Sequence, residues 1–225
     1  MEEEKKNYGK TLNLPKTEFP MRGNLANTEP EILQNIFENG LYNKIIAKNK
    51  DRKTFILHDG PPYANGEIHM GHAMNKVLKD TIVRYKSMKG FYAPFIPGFD
   101  THGMPTEKKA IEKLNLDRNK TPVPEFRDMC KKVTSDYKDL QTAGFKRLGV
   151  LGDWEHPYIT YDRNIEASQL GIFGKMYFNG YIYRGLKPVY WCPDCETALA
   201  EAEIEYKDHE SLSLYVKFNV IDAKG

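Results

Sequence analysis

His58-Asp59-Gly60-Pro61-Pro62-Tyr63-Ala64-Asn65-Gly66-Glu67-Ile68-His69-Met70-Gly71-His72 is the stretch that decides the fold. Just upstream and overlapping it, Thr54-Phe55-Ile56-Leu57-His58 is a short apolar run that reads as a strand. Asp59 to Glu67 gathers Gly60, Pro61, Pro62, Asn65 and Gly66, residues that punctuate a chain with turns. Beyond it, Met70, Met74, Val77, Leu78, Ile82, Tyr85 and Met88 recur at helical spacing. They predict a helix from about 69 to 89, with Gly90 as its stop. Phe91 to Ile96 predicts a second strand, which Pro94 places at an edge, a bulge or a late start. Strand, glycine-rich turn, helix and strand within about 45 residues outline a parallel βαβ unit.

The junction between turn and helix has chemical meaning. A helix start presents N–H groups with no intrahelical partner and the positive end of the macrodipole, so it favours phosphate. His69 and His72 are three residues apart and share a face. Two imidazole donors there can stabilise charge that develops on a phosphate during attack. Gly71 between them lets a bulky group approach the backbone. Two histidines at this spacing alone are more often a surface pair near a cap; the preceding strand and turn reverse that reading.

Working outward, the first ten residues are polar and charged and read as a frayed tail, and residues 11 to 27 as an extended arm. A helix is predicted next, capped by Thr28 with Glu31 as capping-box partner, carrying Ile32, Leu33, Ile36, Phe37, Leu41, Ile45 and Ile46 and weakened at Gly40. Further helices are predicted at about 105–115 and 124–148, each with a proline near its start, and at 163–179 between Asp162 and Gly180. Leu212, Leu214, Val216, Phe218 and Val220 alternate with polar residues and predict a half-buried strand, with few residues left to pair with it. The expected division is an arm and helix over 1–50, a catalytic half-fold over 51–205, and the start of an insertion over 206–225.

The 33 basic and 31 acidic side chains leave a net charge of +2 in 225 residues, which excludes a generally basic nucleic-acid coat. Apolar residues at 40% exclude a disordered chain. Three cysteines point to a reducing compartment, no stretch approaches a membrane span, and the acidic start is no transit peptide, so a cytoplasmic protein is expected. Cys192 and Cys195 form one Cys-x-x-Cys pair, which is half of a tetrahedral zinc site. Cys130 and His209 make no recognisable second pair, so structural or vestigial cysteines stand beside the metal reading.

The segment from Pro62 to His72 resembles the His-x-Gly-His signature of class I aminoacyl-tRNA synthetases, and His58 to Gly66 is closer to the isoleucyl type than to the valyl, leucyl or methionyl types. Four other segments resemble the same family: Leu14 to Arg22 its N-terminal arm, Pro97 to Glu107 its second active-site element, Leu148 to Trp154 its helical insert, and Trp191 to Glu203 its entry to the editing insertion. Phe99, Met104 and Thr106 stand where the family usually has tryptophan, leucine and isoleucine.

The resemblance implies the first half of a Rossmann-like parallel sheet with helices, an N-terminal helical arm, and the first strand of an inserted β-rich editing domain. It implies a ligase that activates isoleucine with ATP to isoleucyl-adenylate and passes it to its tRNA. By resemblance His69 and His72 are catalytic and contact the ATP phosphates with Gly71, Asn65 and Gly66, while Gly60, Pro61 and Asp100 bind the amino acid. Asp100 follows Pro97-Gly98 at the carboxyl end of the second strand, where doubly wound sheets bind ligands. His102 either acts directly or holds the loop. Mg2+ is expected with ATP, and Zn2+ and a monomeric state belong to the full-length parent. The second half of the fold, the lysine-rich loop and the anticodon-binding helices have no counterpart here; Tyr85 to Gly90 only superficially resembles that loop. The chain is therefore expected to be an N-terminal fragment that forms no adenylate alone. A catalytically dead ATP- or tRNA-binding paralogue and a smaller nucleotidylyltransferase are the alternatives.

Overall fold

The parallel unit forms with far less ladder than the apolar runs predict. In the computed structural model, which describes residues 8–14, 17–18 and 23–221, Thr54 pairs with Tyr92 in a single parallel bridge and Tyr63 with Asp100 in another. The only regular ladder among the described residues of this part is β1 (Gly98–Phe99) beside β2 (Tyr158–Ile159), parallel, with Gly98 opposite Tyr158 and Phe99 opposite Ile159. The reason lies in the backbone donors. Pro61, Pro62, Pro94 and Pro97 have no N–H to give to a ladder. Phe95 spends its own pair elsewhere: the Tyr42 hydroxyl accepts from the Phe95 N–H at 3.0 Å and donates to the Phe95 carbonyl at 3.1 Å.

Around this ribbon stand α1 (Leu25–Glu38), α2 (Leu41–Asn49), α3 (Met70–Met88), α4 (Met104–Leu114), α5 (Val123–Arg147) and α6 (Arg163–Phe178). The predicted helix over 28–46 is two helices. Gly40 sits at φ +58°, a left-handed conformation that ends one helix and starts the next. The Thr28 cap is also corrected. The helix begins a turn earlier behind Asn24, and the Thr28 hydroxyl bonds back to the carbonyls of Gly23 and Asn24. The frayed tail falls mostly, and the arm partly, on residues outside the described set.

Two small cores flank the ribbon. Ala64, Phe99, Phe145 and Ile159 make one, and Val83, Ala93, Phe95 and Val150 the other, with Trp154 packed against both. Residues up to Ile172 form one compact unit and those from Phe173 a second. In the second, β3 (Trp191–Cys192) and β4 (Thr197–Ala198) form an antiparallel hairpin around the Cys-x-x-Cys turn. The strand expected over 212–220 forms no ladder, and its side chains are exposed. A strand's N–H and C=O groups need a partner, and none stands beside it among the described residues. No helix among them is long and apolar enough to cross a membrane.

Candidate active site

His69 is the N-cap of α3, in extended conformation, and its ring is part of the cap. Its Nδ1 accepts from the Gly71 N–H at 3.1 Å, and the Nδ1 of His72 accepts from the His69 N–H at 3.3 Å. A capping box built from two imidazoles fixes the tautomer. With both Nδ1 atoms acting as acceptors, the neutral rings carry their protons on Nε2, turned away from the helix backbone. The rings stack with centroids 3.9 Å apart at 22°, and Phe145 of α5 meets His72 edge-on at 6.3 Å. Partial burial lowers the His72 pKa, helped by the charges of His69 and Lys76, so the ring favours its neutral form. Gly71 has a second reason to be glycine: a Cβ there would lie 2.9 Å from Cε1 of the His69 ring.

The turn before the helix is held from three directions. Asp59, buried, accepts from Lys76 and from Lys79 (2.6 Å) on α3 and from the Gly98 N–H (2.7 Å) at β1. Lys76 is itself buried, 5.0 Å from the centre of the Phe145 ring; burial pushes its pKa down and Asp59 pulls it back. Asp100 donates its N–H to the Pro62 carbonyl at 2.8 Å and accepts from the Ala64 N–H at 2.9 Å. From α5, Gln141 donates to the carbonyls of Tyr63 and Gly66, each at 2.9 Å. Gly98 lets the turn lie close, since a Cβ there would be 3.0 Å from Cβ of Pro61.

Gly60, Pro61, Asn65 and Gly66 thus lie on one braced turn joined to the Asp100 end of β1, and that turn leads into His69, Gly71 and His72. The Asp100 carboxylate accepts from the His102 N–H (3.3 Å) and the Thr160 hydroxyl (3.4 Å) and pairs with no cationic side chain among the described residues. The His102 ring reaches the Thr160 carbonyl at 3.1 Å and Glu166 at 3.5 Å, contacts that hold the loop. A cleft of about 410 Å3 opens at Thr101 and His102 and is lined also by Thr106, Arg127 and Arg163; of the candidate residues, His102 alone lines it. Sequence reasoning missed Asp59, Lys76 and Gln141. Neither Lys76 nor Gln141 carries a signal in the sequence, since a lysine opposite the apolar positions of a helix reads as solvated.

In the second unit the Cys195 N–H donates to Sγ of Cys192 at 3.4 Å, which lowers that thiol's pKa. No group of three His, Cys, Asp or Glu converges among the described residues, so the pair supplies two of the four ligands a zinc site needs.

The family model described as tRNA synthetases class I (I, L, M and V) matches residues 31–220. The chain belongs to that family. This class I synthetase chain is 59% identical over 218 residues to the isoleucine–tRNA ligase of Caldicellulosiruptor bescii, covering 97% of its own length and 24% of that protein's. The isoleucine–tRNA ligases of Moorella thermoacetica (58%, 97% and 23%) and Carboxydothermus hydrogenoformans (59%, 97% and 24%) match alike. The synthetase chain therefore spans about a quarter of the length of the curated relatives it matches. Among solved structures it resembles LeuRS of Agrobacterium radiobacter K84, crystallised as a ternary complex with tRNA and LeuAMS, at TM-score 0.62 and 24% identity over 80% of this chain and 21% of that one. That likeness bears on the fold alone.

Proposed function

We propose that the chain is the N-terminal part of an isoleucine–tRNA ligase and contributes the phosphate and amino-acid ends of its activation site. In the activation step a carboxylate oxygen of isoleucine attacks the α-phosphorus of ATP, the bond to the β-phosphate breaks, and pyrophosphate leaves. The observation that carries this reading is the imidazole capping box. Its two Nδ1 atoms are occupied by backbone N–H groups, so two Nε2–H donors stand at the positive end of α3 without displacing the cap. The Asp100 carboxylate suits an α-ammonium, Gly60 and Pro61 wall the amino-acid side, and Asn65 and Gly66 approach the nucleotide. Mg2+ accompanies the ATP phosphates, and the isoleucyl group then passes to the cognate tRNA.

The same reading divides the chain into an arm and helix (1–50), the first half of a Rossmann-like catalytic domain (51–205) and the start of an editing insertion (206–225), in a cytoplasmic, monomeric parent. Cys192 and Cys195 would supply half of a zinc site in a longer parent, or stand as structural cysteines, and no step of activation passes through them. The exposed apolar face of α3 supports a larger parent. Met70, Met74, Leu78 and Met88 are each more than half exposed, and apolar surface on this scale marks an interaction face.

Isoleucine-dependent exchange of pyrophosphate into ATP tests the reading. The full-length enzyme should catalyse it, His72→Ala should slow it by about 100-fold or more, and the 225-residue chain alone should not catalyse it. A full-length protein that binds ATP or tRNA without exchange is a catalytically dead paralogue and overturns the proposal.

A further inference from the structure

Gln141 is fully buried in α5, and its two amide hydrogens match two carbonyls, those of Tyr63 and Gly66. These carbonyls bracket Ala64 and Asn65, so one side chain spans the whole turn. Three residues on, α5 has Gly144, where a Cβ would lie 2.7 Å from Cδ1 of Ile68; Phe145 then meets the His72 ring. Positions 141, 144 and 145 share one helix face, and they meet 63 and 66, then 68, then 72, in the order the motif runs. The turn has no ladder to satisfy these carbonyls, and the Gln141 amide donates to both of them. Glutamate would set acceptors against acceptors, and methionine would give no donor. The amide is also kept at a cost: its Oε1 is buried with no hydrogen-bond partner.

We infer that Gln141 is a positioning residue for the nucleotide loop, its amide setting the turn that presents Asn65, Gly66 and the two histidines to ATP. The inference rests on that loop being the ATP site. The amino-acid end is tied separately, through Asp59 to Gly98 and through Asp100 to Pro62. Loss of the Gln141 amide should therefore weaken the use of ATP and spare the use of isoleucine.

Pyrophosphate exchange by the full-length enzyme, with ATP and isoleucine varied separately, tests this in Gln141→Met. A shift of the loop by a fraction of an ångström is expected to raise KM for ATP about tenfold. KM for isoleucine should stay within about twofold, and the melting temperature within a few degrees. Unchanged constants, or both KM values rising together, overturn the assignment. If Gln141→Met does not fold, Gly144→Ala decides, because it pushes Ile68 along the same seam: a rise confined to ATP supports the inference and no such rise overturns it. A wild-type enzyme without isoleucine-dependent exchange would instead sink the functional reading, which is a different result from an active wild type with indifferent variants.

Discussion

Helices α3 and α5 both hold the His69–His72 segment, and they obey opposite rules. α5 buries Phe126, Val133 and Phe145 with Thr134 and Gln141, the usual amphipathic arrangement. α3 buries Lys76 and Val83, and exposes Met70, Met74, Val77, Leu78, Ile82, Tyr85 and Met88. The inner face of α3 is an electrostatic seam, with Lys76 and Lys79 on Asp59 and Arg84 bonded to Asp80 and to the Gly149 carbonyl. The helix is thus fixed to this unit by charge and hydrogen bonding together with the packing of Val83, while most of its apolar face is left for other surface. A hydrophobic pattern identifies a helix; it does not say which of its faces the neighbouring chain covers.

The contrast can be broken most forcefully at Asp59. Asp59→Ala leaves two lysines without their carboxylate, one of them buried, and is expected to cost about 3–5 kcal/mol in urea denaturation. Asp59→Asn combined with Lys76→Met removes the two buried charges, leaves only the partly exposed Lys79, and keeps an acceptor for the Gly98 N–H, so it should recover most of that loss. On α5 the corresponding break is steric. Gly144→Ala should destabilise by about 1–3 kcal/mol through its clash with Ile68, read from the same denaturation curve.

A smaller effect separates the helices by pH. The folded-state pKa of His72 is depressed, so the unfolded chain binds more protons as acidity rises. Its contribution is fully present above the ordinary histidine pKa and is lost as pH falls through the lowered folded value. The wild-type urea midpoint should therefore drop more than that of His72→Gln between about pH 7.5 and about pH 5.5. The smallest effect belongs to the outer face of α3. Leu78→Gln should change the stability of this chain by no more than about 0.5 kcal/mol, and a larger loss in the full-length protein would identify that face as covered there.

Helix α3, the turn before it and the α5 and α6 boundaries were legible because they are set by local chemistry: Gly90 and Gly180 at positive φ, prolines at the start of α5, and apolar spacing. The strands over 54–58 and 91–96 were legible only as extended chain, since prolines and the Tyr42 hydroxyl decide how much ladder survives, and Tyr42 lies 53 residues from Phe95. The break at Gly40 was foreseen as weakness rather than as a left-handed hinge. At the candidate site the motif residues could be picked out by spacing and turn chemistry. Their supports could not, because a buried lysine or glutamine gains its meaning from partners distant in sequence, and spacing carries no trace of a carbonyl 75 residues away.

Tyr42 also has a consequence for self-association. An extended segment with an unpaired N–H and C=O is a template on which a second polypeptide can dock and seed aggregates. At Phe95 a phenol from α2 occupies that place, donating and accepting as a neighbouring strand would, while offering no further backbone for growth. The N-terminal helices thereby seal a stretch of ribbon that is fully buried at Phe95, whose carbonyl also accepts from the Asp153 N–H at 2.9 Å, and Tyr42→Phe would keep the packing while leaving the Phe95 N–H without this acceptor.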